Sequence, residues 1–218
     1  MKNLKLGILT LIFLGHCLTS LAQNKSVTQT FDIKDFDKVE LNDLNGEVSI
    51  ELGKPFGVAI TIDSQALESI QLAKNAENKL TISFLKVKKE NWYTKNTAKV
   101  AITMPEISKI YNNGNANIRI QSFIGRYLGI ENGGNGDILL SGQVVDLLDI
   151  ENAGNGNVKA NNIEAKAVKV SKYGNGNVEI KTNQTFKAIL AGNGDIINTG
   201  KGEAHIIKRN GNGKVIKR

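Results

Sequence analysis

Leu148-Asp149-Ile150-Glu151-Asn152-Ala153-Gly154-Asn155-Gly156-Asn157-Val158 decides the fold of this chain. Residues alternating at spacing two run into a glycine-rich corner, and a β-branched residue resumes the alternation beyond it, which is the pattern of strand, tight turn, strand. The corner recurs down the second half of the sequence, with its first glycine at Gly114, Gly134, Gly154, Gly174, Gly192 and Gly211, in steps of 20, 20, 20, 18 and 19 residues. So short and regular a period marks a solenoid, in which each turn of chain buries its apolar side only against its neighbours.

Aligned on that first glycine, the next position is Asn every time: Asn115, Asn135, Asn155, Asn175, Asn193 and Asn212. The position after it is Gly except at Ala116, and four residues beyond the first glycine stand Ile118, Ile138, Val158, Val178, Ile196 and Val215. Four residues before it stand Ile110, Ile130, Ile150, Val170, Ala188 and Ile207, and six before it Ser108, Leu128, Leu148, Val168, Phe186 and His205. A leucine-rich repeat has a similar period but wants a helical return, and no gap here is long and apolar enough for a helix. The expectation is an all-β chain folded as a parallel β-helix, with equivalent residues stacked at the inter-strand spacing. The Asn column then forms an amide ladder satisfying buried backbone groups, and Gly supplies the positive φ of a sharp corner.

Residues 1–22 read as a secretory signal peptide: Lys2 and Lys5, the apolar run Leu6 to Leu14, then Ser20-Leu21-Ala22 before Gln23. Cys17, the only cysteine, lies inside it, so the processed chain would hold no disulfide, thiolate metal site or cysteine nucleophile. The net charge of +7 falls by two with Lys2 and Lys5 removed, and it is scattered, which argues against nucleic acid as a partner. Residues 23–105 form a β-rich region with alternation in Val39-x-Leu41, Val48-x-Ile50-x-Leu52, Val58-x-Ile60-x-Ile62, Leu80-x-Ile82-x-Phe84 and Val100-x-Ile102. These strands are expected to form or extend the first coils, with Asn45-Gly46-Glu47-Val48 as a degenerate copy of the corner, a short helix over Gln65 to Leu72, and loops over Asn75 to Asn78 and Lys86 to Thr97. Residues 106–218 carry the regular corners.

The order Phe36-x-x-Val39-x-Leu41, Asn45-Gly46-x-Val48-x-Ile50, Leu80-x-Ile82, Val100-x-Ile102-x-Met104-Pro105-x-Ile107, leading into Gly114-Asn115-Ala116-Asn117-Ile118, resembles the bacterial auto-transporter adhesin family with the head GIN domain. The resemblance covers nearly all of the chain after the signal segment. It implies an exported, pectin-lyase-like, right-handed β-helix with adhesion as its role and no catalytic residues. Ala116 in place of Gly departs from the pattern at one corner only.

Other chemistries are weaker. Gly134-x-Gly136 is half of a dinucleotide fingerprint, yet it leads into a strand, and phosphate binding needs a helix N-terminus there. Gly133-Gly134-Asn135-Gly136-Asp137 is similar to calcium-binding Gly-Asp repeats, but those recur every nine residues, and Asp137 and Asp195 fall three coils apart. A lyase-like site would gather acids on one face near a base, for which Asp146, Asp149 and Glu164 with Arg126 and Lys166 are the candidates. His205 falls in an apolar column and reads as packed or cap-facing rather than as a general base. No catalytic residue, cofactor or metal is expected. Trp92 and Tyr93, in the lysine-rich Lys86 to Asn96 loop, are the candidate ligand contacts or, alternatively, a lid over a coil edge, and Tyr173 is a further surface aromatic. The expected activity is a binding or adhesion module for surface polysaccharide or another envelope protein, located in the periplasm, on the outer surface or outside the cell. A purely structural envelope protein is the alternative, and a polysaccharide-lyase-like enzyme a more distant one.

Overall fold

The computed structural model describes residues 26–85 and 97–218, so the expected signal segment and the pair Trp92 and Tyr93 lie outside the described residues. The described chain is all-β, with two mostly parallel sheets. The first sheet runs in the order β1 (Ser26–Phe31), β4 (Gly57–Asp63), β7 (Thr97–Met104), β3 (Asn45–Leu52), β9 (Asn117–Phe123), β11 (Ile138–Gly142), β13 (Val158–Asn162), β15 (Val178–Ile180), β17 (Ile196–Asn198) and β19 (Val215–Lys217). The second runs β18 (Ala204–Asn210), β16 (Phe186–Ala191), β14 (Ala165–Lys172), β12 (Val145–Asn152), β10 (Tyr127–Asn132), β8 (Lys109–Asn113), β2 (Lys38–Asn42), β6 (Lys79–Phe84) and β5 (Ile70–Lys74). From β8 onward the chain alternates between the sheets, and each pair of consecutive strands makes one rung.

Register follows the sequence period. Ile110, Ile130 and Ile150 stand beside one another across β8, β10 and β12, and Ile118, Ile138, Val158 and Val178 across β9, β11, β13 and β15. All seven are buried, since alternation on each strand turns every second side chain toward the space between the sheets. A one-residue slip would reverse that orientation, so burial itself fixes the register. The inward residues of both sheets join in one apolar core that also takes in Phe36, Phe123 and Phe186.

Toward the N-terminus the chain order and the spatial order part. β2 and β3 lie between the rungs β8–β9 and β6–β7, while β1, β4 and β5 pair antiparallel and close that end of both sheets. The helix expected over Gln65 to Leu72 is a single 3-10 turn at Leu67–Ser69, followed by β5. Ile70 and Leu72 alternate against Phe84 and Ile82 of β6, so pairing outweighs a weak helical preference. Thr97, expected to be the last residue of a loop, is instead the first residue of β7.

The last rung also departs from the expected columns. Phe186 pairs with Ala204 and Ala188 with Ile206, after which the register shifts so that Ile189 pairs with Lys208. The bulge absorbs the extra residue of the 19-residue step after an 18-residue one. It leaves Ile207 and His205 exposed instead of in the apolar columns. Ser108 does not pack as a strand residue either; its hydroxyl donates to Asp37 just before β8.

Candidate functional site

The corners bring all six predicted asparagines into one line. Asn115, Asn135, Asn155, Asn175, Asn193 and Asn212 each donate from Nδ2 to Oδ1 of the Asn on the preceding rung, at 2.7 to 3.0 Å, and the line starts on Asn45. These bonds join exposed side chains to one another and do not reach buried backbone. The expected backbone role belongs to two other columns. Two residues further along, Asn117, Asp137, Asn157, Asn177 and Asp195 each accept the backbone N–H of the residue above. That bonding engages the two calcium candidates: Asp137 Oδ1 accepts from Asn157 N at 2.7 Å and Nδ2 at 3.0 Å, and Asp195 Oδ1 accepts from Lys214 N at 2.8 Å. No cluster of three or more His, Cys, Asp or Glu occurs among the described residues.

The other column faces inward. Asn112, Asn132 and Asn152 are buried, and each donates from Nδ2 to the backbone oxygen four residues on, at Ala116, Gly136 and Gly156. Asn112 also donates to Asn132 Oδ1 at 3.0 Å. Each side chain thus closes its own corner from inside, donating an N–H to a carbonyl that the turn leaves without a strand partner. Lys172 takes the next place, fully buried, with its ammonium donating to Gly174 O. Burial lowers its pKa, against the opposing charge of Asp195. Sequence reasoning missed this column, although Asn recurs at an otherwise inward position in three successive repeats. At the opposite corner, buried Asn198 bonds Thr182 N and O and the carbonyl of Gly202.

The corner glycines serve close stacking more than backbone sign. A Cβ on Gly154 would lie 1.9 Å from Gly134 O, and one on Gly156 2.0 Å from Gly136 O, so neither position admits a side chain. Neither has the positive φ expected of it; among the six first glycines only Gly192 and Gly211 do, at 140° and 128°. Ala116 is accommodated with its methyl buried, above Gly46 rather than above another regular corner.

The outer faces carry ion pairs between adjacent rungs. Asp146 accepts from Lys166 at 2.7 Å and from Arg126 at 2.9 Å, and Lys169 reaches Asp149 at 3.2 Å. The Lys166 and Arg126 hydrogen bonds hold the Asp146 carboxyl below its ordinary range, which suits an ion pair and not a general acid. Glu164 accepts from Asn183 at 2.8 Å, so the three acids of the lyase reading are each committed to a neighbour. Lys79 and Lys109 flank the Tyr111 ring at 5.1 and 4.7 Å and pair with Glu40 and Glu131. Tyr173 is 44% exposed. The outer faces thus present charge and scattered aromatics, and Trp92 and Tyr93 fall outside the described residues.

Comparison with solved structures shows the same fold in several bacterial proteins. A "putative adhesin" from Bacteroides fragilis matches with a TM-score of 0.70 and 22% identity, over 89% of this chain and 97% of that one. A "putative adhesin" from Parabacteroides merdae matches at 0.55 and 18%, over 90% and 97%, and a "putative lipid binding protein" from Parabacteroides distasonis at 0.51 and 16%, over 90% and 98%. Comparison with curated proteins finds no match. The model of the family described as "Putative auto-transporter adhesin, head GIN domain" matches residues 35–202. The chain belongs to that auto-transporter adhesin family with the head GIN domain.

Proposed function

We propose that this chain is an exported, non-enzymatic adhesion module of the bacterial envelope, folded as a right-handed parallel β-helix that residues 23–105 begin and residues 106–218 continue. Membership of the adhesin family over residues 35–202 carries this reading. The rungs support it: side-chain ladders and inter-rung ion pairs make a rigid rod whose outer faces are free to meet a surface. No helix of the described residues is long and apolar enough to cross a membrane, and residues 1–22 have the pattern of a cleaved export signal. The partner is a surface polysaccharide or another envelope protein, bound without cofactor or metal.

The test is a glycan array and an envelope-protein pull-down with the chain lacking residues 1–22, alongside a variant with Trp92→Ala and Tyr93→Ala. Binding in either format is expected. The double change should weaken it while the melting temperature stays within about a degree, since surface changes usually cost under roughly 0.5 kcal/mol. Failure to bind in both formats would leave the structural rod as the better description, and a loss of several kcal/mol in the double variant would make the two aromatics a lid over the core.

A further inference from the structure

The outer face of the first sheet holds a cleft of about 300 Å³ across β4, β7, β3 and β9. Its floor follows from the register: Ser49 stands opposite Ala101 on one side and Arg119 on the other, and Ala101 stands opposite Ala59. Three short side chains in a row across the strands leave a trough, because the next row holds Glu47, Lys99 and Thr61. Two cations rise from it. Lys99 and Arg119 sit on opposite sides of β3, two strands apart and two residues out of step, which places their Cα atoms about 12 Å apart at ordinary sheet spacings. Both side chains are long enough to turn toward one group lying over Ser49.

Neither cation has a hydrogen-bond or ion-pair partner among the described residues, whereas Lys79, Lys109, Lys166 and Lys169 on the second sheet are paired with carboxylates. The carboxylate nearest in register, Glu47, accepts instead from Asn117 Nδ2 at 3.1 Å. The cleft therefore has a cation without an ion-pair partner on either side of β3, Lys99 and Arg119, a small apolar floor of Ala59 and Ala101, and oxygen-bearing side chains at Ser49, Thr61 and Glu47.

We propose that this cleft binds a carboxylate-bearing sugar of an acidic polysaccharide. A uronate ring matches each part: its carboxylate takes the planar fork of Arg119 with Lys99 beside it, its apolar face lies on the two alanines, and its hydroxyls meet Ser49, Thr61 and Glu47. A compact inorganic anion would use the cations and nothing else. The proposal deepens the adhesin reading by naming one ligand class and one site, and its failure need not be the failure of that reading.

The experiment is calorimetric titration of the chain lacking residues 1–22 with a glucuronate-containing tetrasaccharide, its carboxyl-reduced neutral form, and inorganic sulfate. Melting temperatures are recorded for every variant, and Lys166→Gln on the other sheet serves as the charge control. Binding of the acidic sugar is expected, weakened about tenfold or more by Arg119→Gln with Lys99→Gln. It should also weaken with Ala101→Leu, which fills the floor without changing charge, and hold with Lys166→Gln. No binding of the acidic sugar, equal binding of its neutral form, sulfate binding as tight as the sugar, or unchanged affinity in Ala101→Leu would each overturn the proposal. An envelope partner bound equally by the parent and by the Arg119→Gln, Lys99→Gln variant would remove this site and leave the adhesion module standing.

Discussion

Asparagine does three different jobs around the corners, and the sequence pattern distinguishes only the outermost, which alone is Asn at all six. Asn155 and Asn175 are conspicuous because they sit between glycines, yet their amides bond other exposed amides, where water competes for every donor. Asn132 is buried and gives its amide to Gly136 O and Gly156 O while accepting from Asn112. Asn132→Leu should therefore destabilise by about 1 to 3 kcal/mol, and Asn155→Ala by less than about 1 kcal/mol, in denaturant unfolding. Equal costs would mean that the outer line matters as much as the inner one. Lys172 continues the inner column with a group that burial holds below its ordinary pKa. Between that lowered value and the usual 10.5 the unfolded chain carries more protons at this site than the folded one, so the contribution of Lys172 to stability rises with pH across that window. Lys172→Asn restores the amide of the three preceding rungs. It should stabilise the protein by about 1 kcal/mol at neutral pH, and the gain should shrink as pH approaches the lysine range. The difference between parent and variant isolates this group from Lys79 and Lys109, whose pKa values are raised, Lys79 chiefly by its hydrogen bond to Glu40, and Lys109 by Glu131 against burial. A gain that stays constant with pH would show that Lys172 is not the titrating group.

Strands and their register were largely legible from spacing, because alternation on both sides of a fixed corner leaves one way to turn the apolar residues inward. What escaped was everything set by the third dimension. The corner glycines looked like residues chosen for positive φ, and most are instead required by the carbonyl of the rung below, an obstacle invisible along the chain. The columns drawn through His205 and Ile207 failed because a 19-residue step must place its extra residue somewhere, and alignment on the corner cannot locate the bulge that takes it. The antiparallel β4 and β5 alternate just as the parallel strands do, so direction was unreadable from pattern alone. The binding cleft was hidden for a related reason: Ser49, Ala59 and Ala101 come from three strands and meet only through register. Register also makes a rung removable. Deleting residues 135–154 joins Gly134 to Asn155 and brings Ile130 beside Val170 with every column intact, so the shortened chain should keep its β circular dichroism and melt cooperatively, at a lower temperature. Deleting residues 145–154 takes out β12 alone and should leave a largely unfolded product; if both deletions behaved alike, the rung would not be the unit of assembly.

At the scale of the whole molecule, the two sheets must end somewhere, and the N-terminal end shows how an edge is managed. β4 carries Val58, Ile60 and Ile62 inward and pairs with β7 on one side and β1 on the other. β1 is polar outward, with Thr28 and Thr61 hydroxyls 2.7 Å apart across the pair, and Phe31 and Ile33 pack against the core beside it. Without β1, the free backbone groups of β4 would become an open edge on a segment rich in β-branched residues, the kind that recruits another chain. Removing residues 23–33 should therefore leave most of the core formed while raising the apparent mass in light scattering, through edge-to-edge association of β4. Substituting Thr61→Lys in the shortened chain should reverse this, because an outward charge on an exposed edge strand repels its copy. A shortened chain with the same mass and melting temperature as the parent would mean that β1 covers nothing that needs covering, and that the closure of this end rests on β4 and β5 alone.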